Sequence, residues 1–354
     1  MIIKKQVIFN IFLFMILLFG GICVFLKGIG YRSNSPNEYS QTTINSAYET
    51  NEYKNFNSIS SKGATIPGLA EGSIPQGICY IENQDVFLTT GYHKGGAPST
   101  VFVIDKDSGE LLKSVILYDN EGNPFCGHVG GIASDGTWVW IGSENSIYVF
   151  AYDLIKNAND MDSVILSKVI PCSVNADYVY WDGTHLWVGE YNYAPFYRTD
   201  TSHIFVDSTG IRYSALVVRY SILPFDGTIG EAEFALYVPD KVQAIVLQDD
   251  GSVILSCSFW CFESSKLMCY FLLDDSESST VRIDDKQIPV FYLAEQYLLW
   301  ELSMPPMAEG IAFADGNYYI LFESDARLYS WYASNRLGNI MIVPSQSIYS
   351  KEDS

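Results

Sequence analysis

Histidine is scarce in this sequence, with four in 354 residues. Basic residues are scarce too: 21 Lys and Arg stand against 41 Asp and Glu, a formal charge of −20. That balance excludes nucleic acid and an anionic membrane surface as partners. Seven cysteines are present, but no paired Cys-x-x-Cys knuckles, so a structural zinc site is excluded. There is no contiguous calcium-binding loop; Ca²⁺ held by channel carboxylates and a backbone carbonyl is the only ion left open, and no other cofactor is expected. No nucleophile–base constellation and no diagnostic glycosidase motif stands out. Past the amino-terminal run, long helical periodicity is absent, while Val, Ile, Tyr, Phe and Trp abound.

What is present is a motif in five copies. It reads Gln76-Gly-Ile-Cys-Tyr80, Gly130-Gly-Ile-Ala133, Asp177-Tyr-Val-Tyr180, Gln243-Ala-Ile-Val246 and Glu309-Gly-Ile-Ala312. Four copies run through a Gly turn (Gly136, Gly183, Gly251, Gly316) into an alternating apolar strand; the first does so through Asn83-Gln-Asp85. A hairpin recurring every ~45–65 residues predicts an all-β, five-bladed β-propeller over 62–345. Ala64-Thr-Ile-Pro-Gly-Leu69 resembles Leu302-Ser-Met-Pro-Pro-Met307 and occupies the same slot before a motif. A strand near 64–68 is therefore expected to complete blade five and close the ring. Segments 192–214 and 274–296 interrupt blades three and four, and long insertions on a rigid scaffold often carry function.

The amino terminus is a separate object. Lys4 and Lys5 precede a 20-residue apolar run, 7–26, long enough to cross a bilayer. No small-x-small cleavage site follows it. Residues 1–27 are expected to be a cytoplasmic tip and an uncleaved transmembrane signal-anchor, with the propeller outside the cell; secretion after signal cleavage is the alternative. Residues 28–61, rich in Ser, Asn, Thr and Tyr, read as a disordered stalk, and 346–354 as a disordered tail. Of the six cysteines outside the span, Cys79, Cys257 and Cys269 fall in apolar strand patterns and read as free core thiols. Cys126 and Cys172 are the best disulfide candidates.

In a propeller the first strand of each blade lines the channel. Aligned on the motif, Gln76, His128, Asp177, Gln243 and Glu309 converge at its mouth, with Asn175 nearby. The ends of the second strands add Tyr92, His93, Glu144, Glu190, Tyr191, Ser258, Glu323 and Ser324 on the same face, and Trp260 and the aromatics of 193–197 flank them. A polar, water-filled channel explains such a lining by itself. Aromatics beside amides and carboxylates also suit a carbohydrate or another small polar ligand. Asp177, Glu190, Glu309 and Glu323, with His128 as a base, are the candidate catalytic groups of the alternative, a carbohydrate-active hydrolase.

Pro75-Gln-Gly-Ile78, His128-Val-Gly-Gly-Ile132, Leu186-Trp-Val-Gly-Glu190, Met304-Pro-Pro-Met-Ala-Glu-Gly-Ile311 and Ile320-Leu-Phe-Glu-Ser324 resemble a group of exported propeller-like proteins of Gram-positive bacteria. The resemblance covers 62–345 and implies the fold, without bringing an established activity. The expectation is thus a membrane-anchored extracellular binding or interaction module. Its expected partners are a small polar ligand, a glycan or a cell-surface protein.

Overall fold

The computed structural model describes residues 36–47, 51–206, 210–272 and 279–349. The apolar run 7–26 and the tail beyond 349 lie outside them. Among the described residues no helix is long and apolar enough to cross a membrane.

Five antiparallel blades surround one axis, each beginning with a motif copy. Blade 1 comprises Ile74–Ile81, Val86–Tyr92, Thr100–Asp105 and Leu111–Tyr118. Blade 2 comprises Gly131–Ser134, Trp138–Ser143, Ser146–Ala151 and Lys168–Pro171; blade 3, Tyr178–Trp181, Leu186–Gly189, Ala215–Leu223 and Thr228–Val238. Blade 4 comprises Val242–Leu247, Ser252–Cys257, Ser265–Phe271 and Leu298–Met304. Blade 5 has Ala308–Ala314, Asn317–Phe322 and Asn339–Pro344, and its outer strand is Ser61–Thr65 from the amino-terminal side. Ser61 pairs with Ile342 and Thr65 with Asn339, so the two ends of the ring share one sheet.

The glycines of the motif have a geometric cause. A Cβ on Gly77 would lie 2.7 Å from the Ile132 nitrogen, and one on Gly131 would lie 2.4 Å from that of Val179. First strands of neighbouring blades thus meet backbone to backbone at the axis, which only glycine permits. Between the blades, apolar faces close the core; Trp140, Tyr178, Tyr220, Tyr318 and Phe322 are among its largest fully buried side chains.

Three expectations need correction. First, the described part of 28–61 is no stalk. Tyr39 is buried and hydrogen-bonds His93 and Thr100, and the amides of Ile44 and Asn45 donate to Asp325. The short helix Lys54–Ile59 buries Phe56 completely, its ring edge-on to Phe322. A few widely spaced aromatics anchor this segment, so its low aliphatic content concealed its packing. Second, the extra chain inside blade 4 joins blade 3. Ser279–Ile283 and Lys286–Tyr292 form a hairpin whose second strand lies parallel to Thr228–Val238. Likewise Ser163–Ile165, which precedes the outer strand of blade 2 in sequence, lies parallel to Leu111–Tyr118 of blade 1. In both places a connection from the following blade covers an outer edge that would otherwise present unpaired backbone groups. Third, Cys126 and Cys172 are free, as are the other four cysteines among the described residues.

Candidate functional site

In blades 1, 4 and 5 the first strand is bulged at the motif itself. Pairing jumps from Pro75 to Ile78, from Val242 to Ala244 and from Ala308 to Ile311. The irregular positions hold Gln76, Gln243 and Glu309. A bulge leaves residues out of the ladder and re-aims their side chains. In blades 2 and 3 the first strands pair regularly, and His128 and Asp177 stand just ahead of them.

Glu309 and Glu323 follow the two members of one cross-strand pair, Ala308 and Phe322. Each carboxyl is held by an amide from another blade. Gln243 Nε2 donates to Glu309 Oε1 at 3.3 Å, and Gln76 Nε2 donates to Glu323 Oε2 at 3.3 Å. Burial, then the neighbouring Glu323, push the Glu309 carboxyl far above the usual carboxylate range. Burial also raises Glu323, to about 8, against the opposing pulls of Lys94, the Tyr329 hydroxyl and the Gln76 amide. Tyr92, Tyr191, Tyr329 and Tyr332 surround the pair closely enough to feel its charge. Tyr191 also ties blade 3 to blade 4, its hydroxyl donating to the Ser258 carbonyl at 3.0 Å.

A second carboxylate centre lies in blade 3. Asp177 accepts the Tyr191 backbone N–H at 2.7 Å; burial lifts its carboxyl to about 7, with Glu190 adding to the rise. Glu190 is 1% exposed. Its Oε1 meets His203 Nδ1 at 2.9 Å and accepts the Asn175 amide, while Oε2 accepts the Leu216 amide. Burial lowers the His203 pKa, but the hydrogen bond and charge of Glu190 outweigh it and the net shift is upward. This pair pins insertion 192–214 onto blade 3.

The expected residues therefore separate. Gln76, Gln243, Glu309, Glu323, Tyr92 and Tyr191 gather at the mouth. His128, exposed to the solvent of the mouth, lies beside Tyr92 with ring centroids 4.6 Å apart; desolvation lowers its pKa, and Lys94 lowers it further. Asp177 flanks the site, and Glu190 is committed to His203. His93 is committed to Tyr39. The four carboxylates form two centres, one at the mouth and one inside blade 3. The sequence reading missed Tyr329, Tyr332, Lys94 and His203. Tyr329 and Tyr332, together in the blade 5 loop, were the available signal.

Around the mouth runs an aromatic rim. Tyr193, Phe196 and Phe259 stack on one another, with Tyr193 and Phe259 centroids 3.7 Å apart, and Phe259 leads to Trp260. Cys261, Met307 and Ala333 pack with Tyr329 and Tyr332, joining this group to Trp331. Phe196 is 71% exposed, Trp260 54%, Phe262 77% and Trp331 73%. Lys241, Trp260 and Met307 hold left-handed backbone (φ 72°, 61° and 68°), uncommon for such residues and frequent at functional sites. The donors on the mouth carboxylates are amide N–H and phenol O–H groups. Among the described residues no three His, Cys, Asp or Glu side chains gather as metal ligands, so the described geometry supplies no Ca²⁺ cage.

No family model and no curated protein matches this chain. Among solved structures it is similar to the Myceliophteria thermophila Cps50 (Swd1) β-propeller domain, at 7% identity and a TM-score of 0.35, over 77% of this chain and 96% of that one. A nidogen/laminin complex chain matches at 10% identity and 0.37, over 81% and 98%. A gluconolactonase from Xanthomonas campestris matches at 10% and 0.34, over 88% and 96%. The assignment as an all-β, five-bladed propeller rests on the blade topology of the chain itself.

Proposed function

We propose that this chain is a membrane-anchored extracellular β-propeller that binds a carbohydrate or another small polar ligand at the mouth of its channel. One observation supports the reading: two amide–carboxyl hydrogen bonds, in which Gln76 and Glu309 are buried and Gln243 and Glu323 half-buried, neighbour a group of exposed aromatic rings. Aromatic faces cover the apolar side of a sugar while hydrogen-bonding groups fix its orientation. The anchoring half of the proposal rests on Lys4, Lys5 and the apolar run 7–26. A hydrolase is the runner-up, favoured by the mouth pair, since a carboxyl kept protonated near neutral pH suits a general acid.

A glycan array and a hydrolysis screen on the detergent-solubilised full chain test the site. Binding without turnover, reduced at least tenfold by Trp260→Ala, is expected. Turnover abolished by Glu309→Gln would establish the hydrolase instead. Protease added to intact cells should remove the propeller; a propeller protected until lysis contradicts the extracellular placement.

A further inference from the structure

The mouth pair is unusual in what it lacks. Glu309 is 6% exposed, and among the described residues its one hydrogen bond is to the amide of Gln243. The groups bonded to Glu323 are the Gln76 amide and the Tyr329 hydroxyl, both neutral. Among the described residues neither carboxyl forms an ion pair. Lys94 is near enough to lower the Glu323 pKa, but it is exposed and bonded to neither acid. A buried carboxylate without a cation is costly, so the site either holds protons or receives a cation from outside.

We infer that the mouth receives an organic ammonium group, seated between Glu309 and Glu323 with its carbon skeleton against the surrounding tyrosines. This rests on the binding reading above and names the part of the ligand that reaches the floor. The donor set favours ammonium over a hard metal cation. Ca²⁺ seeks six to eight oxygens, whereas the mouth offers two carboxyls and a phenol. An ammonium has three N–H donors, which matches that count. Tyr92, Tyr191 and Tyr329 stand within electrostatic reach of the pair, and aromatic rings attract cations, more strongly once water is displaced. The chain's charge of −20 draws cations toward it over a Debye length.

The titratable groups facing the pair are Tyr92, Tyr191, Tyr329, Tyr332, Cys261 and Lys94. The tyrosines and the thiol all have raised pKa values and stay neutral near pH 7. An arriving ammonium therefore ionises the carboxyls, which release their protons to the buffer. For a probe that remains an ammonium throughout this range, such as spermidine, binding strengthens as pH rises toward about 8.

Calorimetry on the full chain with three probes tests this: a glucosamine trimer, its N-acetylated counterpart, and spermidine. Each is titrated in about 0.15 M salt, in two buffers of different ionisation enthalpy. The glucosamine trimer should bind at least tenfold more tightly than the N-acetylated trimer, and proton release should appear as a buffer-dependent enthalpy. Spermidine binding at the same site would show that the ammonium suffices without the sugar. Glu309→Gln and Glu323→Gln should each weaken ammonium binding at least tenfold. Either changes the total charge by only one, so diffuse attraction to an acidic surface cannot give that loss. Equal or tighter binding of the N-acetylated trimer, lost in Trp260→Ala but not in Glu309→Gln, overturns the ammonium inference and leaves the binding reading intact. Failure of all three probes to bind the folded protein also overturns it, while the glycan array decides the binding reading separately.

Discussion

Two buried carboxylate centres lie on one face of this propeller, and they are built in opposite ways. In blade 3, Glu190 has a histidine partner and two backbone amides. At the mouth, Glu309 and Glu323 are held by neutral donors and face each other. The first arrangement fastens a loop to a sheet. The second keeps two acids together whose pKa values burial raises, and it is there that the proposed ligand would sit.

The comparison is sharpest at its structural end. His203→Ala leaves Glu190 buried without its partner and should cost about 3–5 kcal/mol. Insertion 192–214 should become the first site of proteolytic cleavage. Thermal denaturation and limited proteolysis read both effects. An unchanged melting temperature would remove the structural role given to this pair.

Glu323→Gln should behave in the opposite sense. In the folded protein Glu323 ionises near 8, whereas in the unfolded chain it ionises near 4.5. Between those values the folded state holds more protons, so stability falls as pH rises through the window. The amide variant loses that slope. It should melt within a few degrees of the parent chain near pH 5 and above it near pH 8. Denaturation scans across this range check the crossover. His203, with its raised pKa, contributes stability that is fully present below the ordinary imidazole range and fades as pH rises through its folded value. The slope belonging to the mouth is therefore the part that Glu323→Gln removes.

Tyr329→Phe should have the smallest effect. It deletes a hydroxyl bonded to Glu323, costs ~1 kcal/mol and moves the Glu323 pKa further upward. A downward move would contradict the assignment of that hydroxyl as a donor to the carboxylate.

Much of the fold, and the grouping of the mouth residues, was legible in the sequence. The motif repeats because each blade needs the same inner hairpin, and the Gly of Gln76-Gly, Gly130-Gly and Glu309-Gly marks strands that touch at the axis. Alignment on that motif placed Gln76, Gln243 and Glu309 together, and their bulges explain why polar residues sit in otherwise apolar strands. The partners of these groups were not legible. His203 reaches Glu190 across an irregular insertion that has no periodicity. Tyr329 reaches Glu323 from a loop without a strand pattern. The two parallel edge strands, Ser163–Ile165 and Lys286–Tyr292, join sheets one blade away from their neighbours in sequence, which no local pattern records. Tyr39 and Phe56 are isolated aromatics in a polar segment, and only their tertiary contacts distinguish them from linker residues.

The central claim is that, among the described residues, the mouth carboxyls have only neutral hydrogen-bond partners, whereas the blade 3 carboxyl of Glu190 has a histidine. Side-chain carboxyl ¹³C NMR of glutamate-labelled protein, followed across pH, tests it most directly. The account predicts one carboxyl titrating near 8 and a second still protonated above neutral pH, the second signal being the one lost in Glu309→Gln and the first the one lost in Glu323→Gln. If every glutamate carboxyl instead completes its titration below about pH 6, in the ordinary range, the pair is compensated and the account is wrong.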